Sequence, residues 1–224
     1  MEPEQDHGRS WIWTALDVPT RLMVHHSIGE RTLESSLKFM QRIKTQISKD
    51  KPLFVSDELP HYEHALVHLY SKELTPTKTA KRGRPRGPVR IIENDLDYAT
   101  VHKSRSKGRV VKVERTVILG DHDRIAARLK NSRSNTINTS FVERLNLTLR
   151  MMNAHLSRKS LCFAKSHQWL KARLSFINAF YNSVRPHRSL STTKHPVTSA
   201  MAAKITQKPW SVYQLLGYSI PCQL

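Results

Sequence analysis

Glu143 and Asp57 are the side chains of this 224-residue chain best suited, by type and neighbourhood, to do chemistry. From Arg124 to Leu224 the sequence carries sixteen Lys and Arg and a single acid, Glu143. Acidic side chains in a tract built to hold polyanions only weaken phosphate binding, so a lone carboxylate there calls for a specific job. Asp57 closes the short apolar run Leu53-Phe54-Val55-Ser56, which reads as a buried strand, and α/β sheets present functional side chains at the carboxyl ends of their strands. A strand-end Asp and a helix-borne Glu are the oxygen donors a hard divalent cation takes. Two such cations activate a nucleophile and stabilise the departing oxygen of a phosphodiester. Asp57 and Glu143 are thus the candidate metal ligands, with Mg²⁺ or Mn²⁺ as the ion. Each also has a plainer reading. Ser140-Phe141-Val142-Glu143 is a capping-box pattern in which Glu143 would satisfy a backbone N–H, and Asp57 before Glu58-Leu59-Pro60 could be a strand-to-helix turn residue.

The elements that must position these groups follow from hydrophobic spacing. Trp11 to Leu16 and Leu22 to Ile28, separated by Asp17-Val18-Pro19-Thr20, read as a β-hairpin. Thr32 can cap a helix to about Ile47, with Leu33, Leu37, Met40, Lys44 (by its stem) and Ile47 at helical spacing. Leu53 to Asp57 is the next strand, and a helix follows from Pro60 to Tyr70. Strand, strand, helix, strand, helix is an α/β opening. Residues 75–97 read as a basic linker, 98–120 as a β-hairpin insertion, and the chain from Asn138 as mostly helical, with helices near 141–156, 166–183 and 212–216. In the helix opened by Ser140, Val142, Leu145, Leu149, Met152 and Leu156 face a core, while Glu143, Asn146, Arg150 and Asn153 share a polar face. Trp169, Leu170, Leu174, Ile177 and Phe180 recur at helical spacing and read as core rather than as a base-stacking platform.

Charge names the partner class. With 37 Lys and Arg against 18 Asp and Glu, the formal net charge is +19, and nucleic acid is the first partner expected. No apolar run reaches the roughly 18 to 20 residues of a spanning helix, so a membrane is not expected. The first residues, Met1-Glu2-Pro3-Glu4-Gln5-Asp6, are acidic and lack the apolar core of a signal peptide, which implies a cytoplasmic, nucleoid-associated location. Cys162 and Cys222 are too few for a thiolate zinc site. His61, His64 and His68 fall on one side of a helix whose apolar side is Tyr62, Ala65, Leu66 and Leu69, and are read as surface residues. Arg150, Arg158, Lys159 and Lys165 are the candidate phosphate contacts. In the linker, Lys81-Arg82-Gly83-Arg84-Pro85-Arg86 resembles the AT-hook core, and Arg82, Arg84 and Arg86 are candidate minor-groove contacts; the plain alternative is a cationic tether.

The run Phe141-Val142-Glu143-Arg144-Leu145-Asn146-Leu147-Thr148-Leu149-Arg150, continued by Leu156 to Ser166, resembles the third-acid region of bacterial insertion-sequence DDE transposases of the IS-one group. Trp11 to Glu30, Val55 to Glu63, Tyr181-Asn182, Arg185 to Leu190, Pro196 to Ala203 and Trp210-Ser211-Val212 are similar to that group as well. The resemblance implies an α/β, RNase H-like core over residues 11–190, flanked by a disordered segment 1–10 and a C-terminal tail 191–224. It implies a metal-dependent DNA strand cleavage and transfer activity, double-stranded DNA (transposon ends and target) as partner, and a homo-oligomer assembled on that DNA. Asp57 would be the second acid and Glu143 the third, with Asn146 presented toward DNA from the same helix. The two acids stand 86 residues apart, a long separation that the linker and second hairpin account for. The first acid belongs to a strand ahead of the one resembling Trp11 to Asp17. Asp17 completes an Asp-Asp-Glu trio but stands at the mouth of a Pro-containing turn, where Asp is commonly structural. The expectation is a chain that starts after its first strand and first acid, with little activity alone unless Asp17 serves. The competing reading is a non-catalytic DNA-binding remnant or inhibitor of transposition.

Overall fold

The computed structural model describes residues 10–47, 50–74, 89–132, 134–157, 161–193 and 195–218. Strands β1 (Trp11–Leu16) and β2 (Met23–Gly29) come first, then helix α1 (Leu33–Gln46), whose cap Thr32 accepts the Ser35 backbone N–H. Strand β3 (Leu53–Asp57) leads into α2 (Pro60–Leu69), which opens on Pro60, where a proline's missing N–H costs nothing. Strands β4 (Ser71–Leu74), β5 (Val89–Ile92), β6 (Asp97–Ser106) and β7 (Arg109–Leu119) follow. Helices α3 (His122–Lys130), α4 (Ser140–Met152), α5 (His167–Ala179), α6 (Ser199–Ala202) and α7 (Val212–Leu216) complete the chain. The protein is mixed α/β and divides into two compact units, Met1–Glu30 with Ser140–Leu224, and Arg31–Thr139, a division absent from the single 11–190 core expected from sequence.

In the first unit β1 and β2 pair antiparallel from Trp11↔Gly29 to Leu16↔Met23, with a bulge at Ala15/Leu16. Met23, Leu145, Leu149, Ile177 and Tyr181 form a buried cluster, with Leu16, Met152 and Leu156 packed against it. Burial of each such side chain contributes about 1.5–3 kcal/mol. The Asn182 amide clamps the hairpin: its Oδ1 accepts from Met23 N at 2.9 Å and its Nδ2 donates to Met23 O at 3.0 Å. Within the expected C-terminal tail, Thr198, Ser199 and Ala200 are buried, and Ser199 Oγ donates to Arg21 O at 3.0 Å.

In the second unit β3 lies parallel to β6, from Leu53↔Asp97 to Asp57↔Val101, and β7 runs antiparallel on the other side of β6. Tyr98, Ala99 and Val101 are buried. The hairpin read as an insertion at 98–120 is therefore the inner strand and far edge of a three-stranded sheet, and only its distal half projects. The linker reading of 75–97 is corrected at its end: Val89–Ile92 pairs antiparallel with Ser71–Leu74, and Leu96 and Asp97 are buried. Helix α1 packs on α2 and buries Ser36, Phe39, Met40 and Ile43; of the expected stripe, Met40 is buried, whereas Leu33 and Lys44 are exposed and Leu37 and Ile47 half-buried. Asp97 anchors α3. Its buried carboxylate accepts from Arg124 Nη2 at 2.5 Å and lies 3.3 Å from Arg128 Nε. Gly120 makes this possible, since its φ of +105° suits glycine and a Cβ there would overlap Asp97 Oδ1.

Candidate metal ligands and nucleic-acid contacts

Asp57 ends β3 on the solvent side, where the strand stops and Pro60 starts the next helix. Among the described residues no hydrogen bond or ion pair engages its carboxylate. Its surroundings are phenolic. Ser56 Oγ lies 2.8 Å from Tyr98 Oη. The Tyr62 hydroxyl is pushed above its ordinary range by burial first and by the charge of Asp57 second. Tyr98 is likewise raised, by burial and then by Glu63 and Asp57. Glu58 points elsewhere, to His102 Nδ1 at 2.5 Å. The unit thus presents Asp57 as an exposed carboxylate whose charge is felt by the half-buried Tyr62 and the buried Tyr98.

Glu143 sits in the first turn of α4, exposed, in the helix whose Leu145, Thr148 and Leu149 are buried. Helix α4 opens at Ser140, three residues before Glu143. The polar face expected alongside it divides. Asn146 Oδ1 accepts from Thr14 Oγ1 at 3.1 Å and so ties α4 to β1, a structural task that sequence alone did not show for a residue expected at DNA. Asn153 is fully buried, and its Oδ1 accepts from His155 N at 3.2 Å. Arg150 is half-buried in the last turn of α4, and Lys165 is exposed ahead of α5. Arg82, Arg84, Arg86, Arg158 and Lys159 lie outside the described residues.

Asp17 is occupied by its own turn. Its Oδ2 accepts from Thr20 N at 3.0 Å and from the Thr20 hydroxyl, and its backbone N donates to Leu22 O at 2.8 Å. This is the turn role. Among the described residues no three His, Cys, Asp or Glu side chains gather into a metal-holding group within either unit. His64 and His68 are exposed and His61 is half-buried on α2, as the amphipathic spacing requires. No known protein family matches this chain, and no curated protein or solved structure matches it either. Among the described residues no helix is long and apolar enough to cross a membrane.

Trp169 departs from its sequence reading. It is 77 % exposed, whereas Leu170, Leu174 and Ile177 are buried. An open apolar groove of about 460 Å³ is lined by His155, Trp169, Ala172, Arg173 and Phe176, with Arg173 Nη1 2.9 Å from His155 Nε2. The signal was present in the spacing: Trp169 and Phe176 each stand one position before a core residue, which rotates them about 100° around the helix to the outer face.

Proposed function

We propose that this chain acts on duplex DNA as a metal-dependent strand-cleaving and strand-transferring protein of the DDE transposase type, with an RNase H-like organisation and assembly of more than one copy on DNA. The observation that carries the reading is the exposed position of Glu143, the sole acid of a cationic tract, in the first turn of the helix whose sequence resembles the third-acid region of those transposases. Asp57 supports it as a second exposed carboxylate at a strand end. Both are hard oxygen donors and fit Mg²⁺ or Mn²⁺. Such an ion, when bound, activates the attacking oxygen and stabilises the departing one of a phosphodiester. The residues' own contributions are separable. Glu143 and Asp57 supply negative charge and oxygen ligands, and the lysines and arginines around Glu143 neutralise the phosphates that would otherwise be repelled by those carboxylates.

A second reading, DNA binding without catalysis, is favoured by one observation. The Asp17 carboxylate is held by Thr20 within its turn and already serves the hairpin. Incubation with duplex carrying an insertion-sequence end and Mg²⁺ or Mn²⁺ separates the two. Cleavage and transfer that are weak, are abolished by Glu143→Gln and by Asp57→Asn, and are unchanged in Asp17→Asn are the expected outcome. Steeply salt-dependent binding that ignores both Mg²⁺ and Glu143→Gln, with no cleavage, would establish the second reading in its place.

A further inference from the structure

The pairing of β6 with β3 stops at Val101, but the pairing of β6 with β7 continues through His102↔Glu114, Lys103↔Val113, Ser104↔Lys112, Arg105↔Val110 and Ser106↔Arg109. The distal half of this hairpin is therefore a two-stranded ribbon about 17 Å long, at roughly 3.3 Å per residue. It closes on Lys107-Gly108 with φ of 48° and 79°, the two-residue turn with both central residues left-handed that matches strand twist. Val111 is the extra residue of a bulge opposite Ser104/Arg105, which sharpens the twist of the arm.

Two properties of this ribbon are unexplained by the fold. Val110, Val111 and Val113 are 45 %, 64 % and 37 % exposed. Around them stand Lys103, Arg105, Lys107, Arg109 and Lys112, while the ribbon's one acid, Glu114, is spent on Lys112 at 2.7 Å. Cations on an open strand edge do guard against edge-to-edge aggregation, but that duty asks for charge and gives no reason to leave three valines in water. A surface that alternates cations with small branched apolar groups suits the DNA major groove. The groove is about 12 Å wide, admits a two-stranded ribbon, offers phosphates at its rims and presents thymine methyl groups within it. A second copy of this chain is a poor occupant, because it brings its own +19 charge.

We propose that the distal β6–β7 ribbon is a DNA-contacting arm that enters the major groove, with Arg105, Lys107 and Arg109 at phosphates and base edges and Val110 and Val113 against thymine methyl groups. The inference rests on the reading of DNA as this chain's partner and adds to it a contact surface on the ribbon of the Arg31–Thr139 unit.

Anisotropy titrations of a labelled duplex at salt from about 50 to 200 mM test it. The triple variant Arg105→Gln/Lys107→Gln/Arg109→Gln should bind more weakly at every salt concentration. Its log-log salt slope should be shallower by about 2 to 3, near 0.9 for each phosphate that is no longer neutralised. Affinity and slope equal to wild type would overturn the arm while leaving DNA as partner. A wild-type chain that fails to bind duplex at any salt would overturn the DNA reading itself, and the arm with it. A second measurement does not depend on the triple variant folding. Lys107→Cys in a Cys162→Ser/Cys222→Ser background, carrying a photoactivated crosslinker, should attach to duplex DNA; attachment only to protein, whether another copy or an acidic partner, would overturn the proposal.

Discussion

Thr20 donates both its backbone N–H, at 3.0 Å, and its hydroxyl to one oxygen of Asp17. The carboxylate thereby closes the turn between β1 and β2 and sets the register of a hairpin that carries Met23 into the core. Asp17→Ala should destabilise the protein by about 1–2 kcal/mol through loss of these bonds. Asp17→Asn, which keeps an acceptor oxygen, should melt within a degree or two of wild type, on the order of a few tenths of a kcal/mol. Thermal melts of the two variants check this. A large loss of DNA cleavage in a fully stable Asp17→Asn would instead make Asp17 a metal ligand.

Asp97 is a buried anion held by Arg124 and Arg128. Asp97→Ala removes the buried partner of two arginines that are about a third exposed and can be rehydrated, and should cost about 1.5–3 kcal/mol. Gly120→Ala should destabilise by the same route, since its Cβ would occupy the space of Asp97 Oδ1 at a φ that alanine resists. Urea unfolding of the single and double variants should show strong non-additivity, because both act on one contact.

Acid should weaken the unit that contains α5. His26 is held below its ordinary value of 6.5 by burial first, then by His25 and Lys171. His187 is held below it as well, by burial and then by the charges of Arg185 and Arg21. Above about 6.5 both are neutral whether folded or unfolded, and the stability is intact. Below it the unfolded chain takes up protons that the folded chain resists, so stability falls with pH until the folded values are passed. Asn178 Nδ2, which donates to His26 Nδ1 at 3.2 Å, needs that neutral ring. Melting temperatures between pH 7.5 and 5 should decline, and less so in His26→Gln. A melting temperature that rises in acid would contradict the assignment.

Trp169→Ala should change stability by no more than about 0.5 kcal/mol, the usual scale of surface substitutions. Leu174→Ala, at a fully buried position of the same helix, should cost about 2–5 kcal/mol. Denaturant midpoints of the two variants decide whether Trp169 belongs to the core, as its spacing suggested, or to the groove.

Much of the fold is legible where side chains repeat. The β1–β2 hairpin, α2, β3, α7 and the core faces of α4 and α5 follow from period and turn chemistry. Helix α3 escaped because it buries one residue, Ile125, and its stability comes from the Asp121 cap and the Asp97 ion pair, both invisible to hydrophobic spacing. The β4–β5 pair escaped because its strands are separated by the basic tract and pair non-locally. The candidate site divides in the same way. Asp57 and Glu143 are legible as a strand-end acid and a helix-borne acid. The use of Asn146 by Thr14 spans 132 positions and is set by packing that no local pattern encodes.

The proposal that Asp57 and Glu143 each give an oxygen to a divalent ion is tested most directly by measuring Mn²⁺ binding through its paramagnetic resonance, with the full chain bound to duplex DNA. Bound Mn²⁺ that falls by roughly tenfold or more in Glu143→Gln and in Asp57→Asn, with duplex binding preserved, is the predicted result, since loss of a charged oxygen ligand weakens a hard-cation site. Equal Mn²⁺ occupancy in wild type and both variants would contradict it.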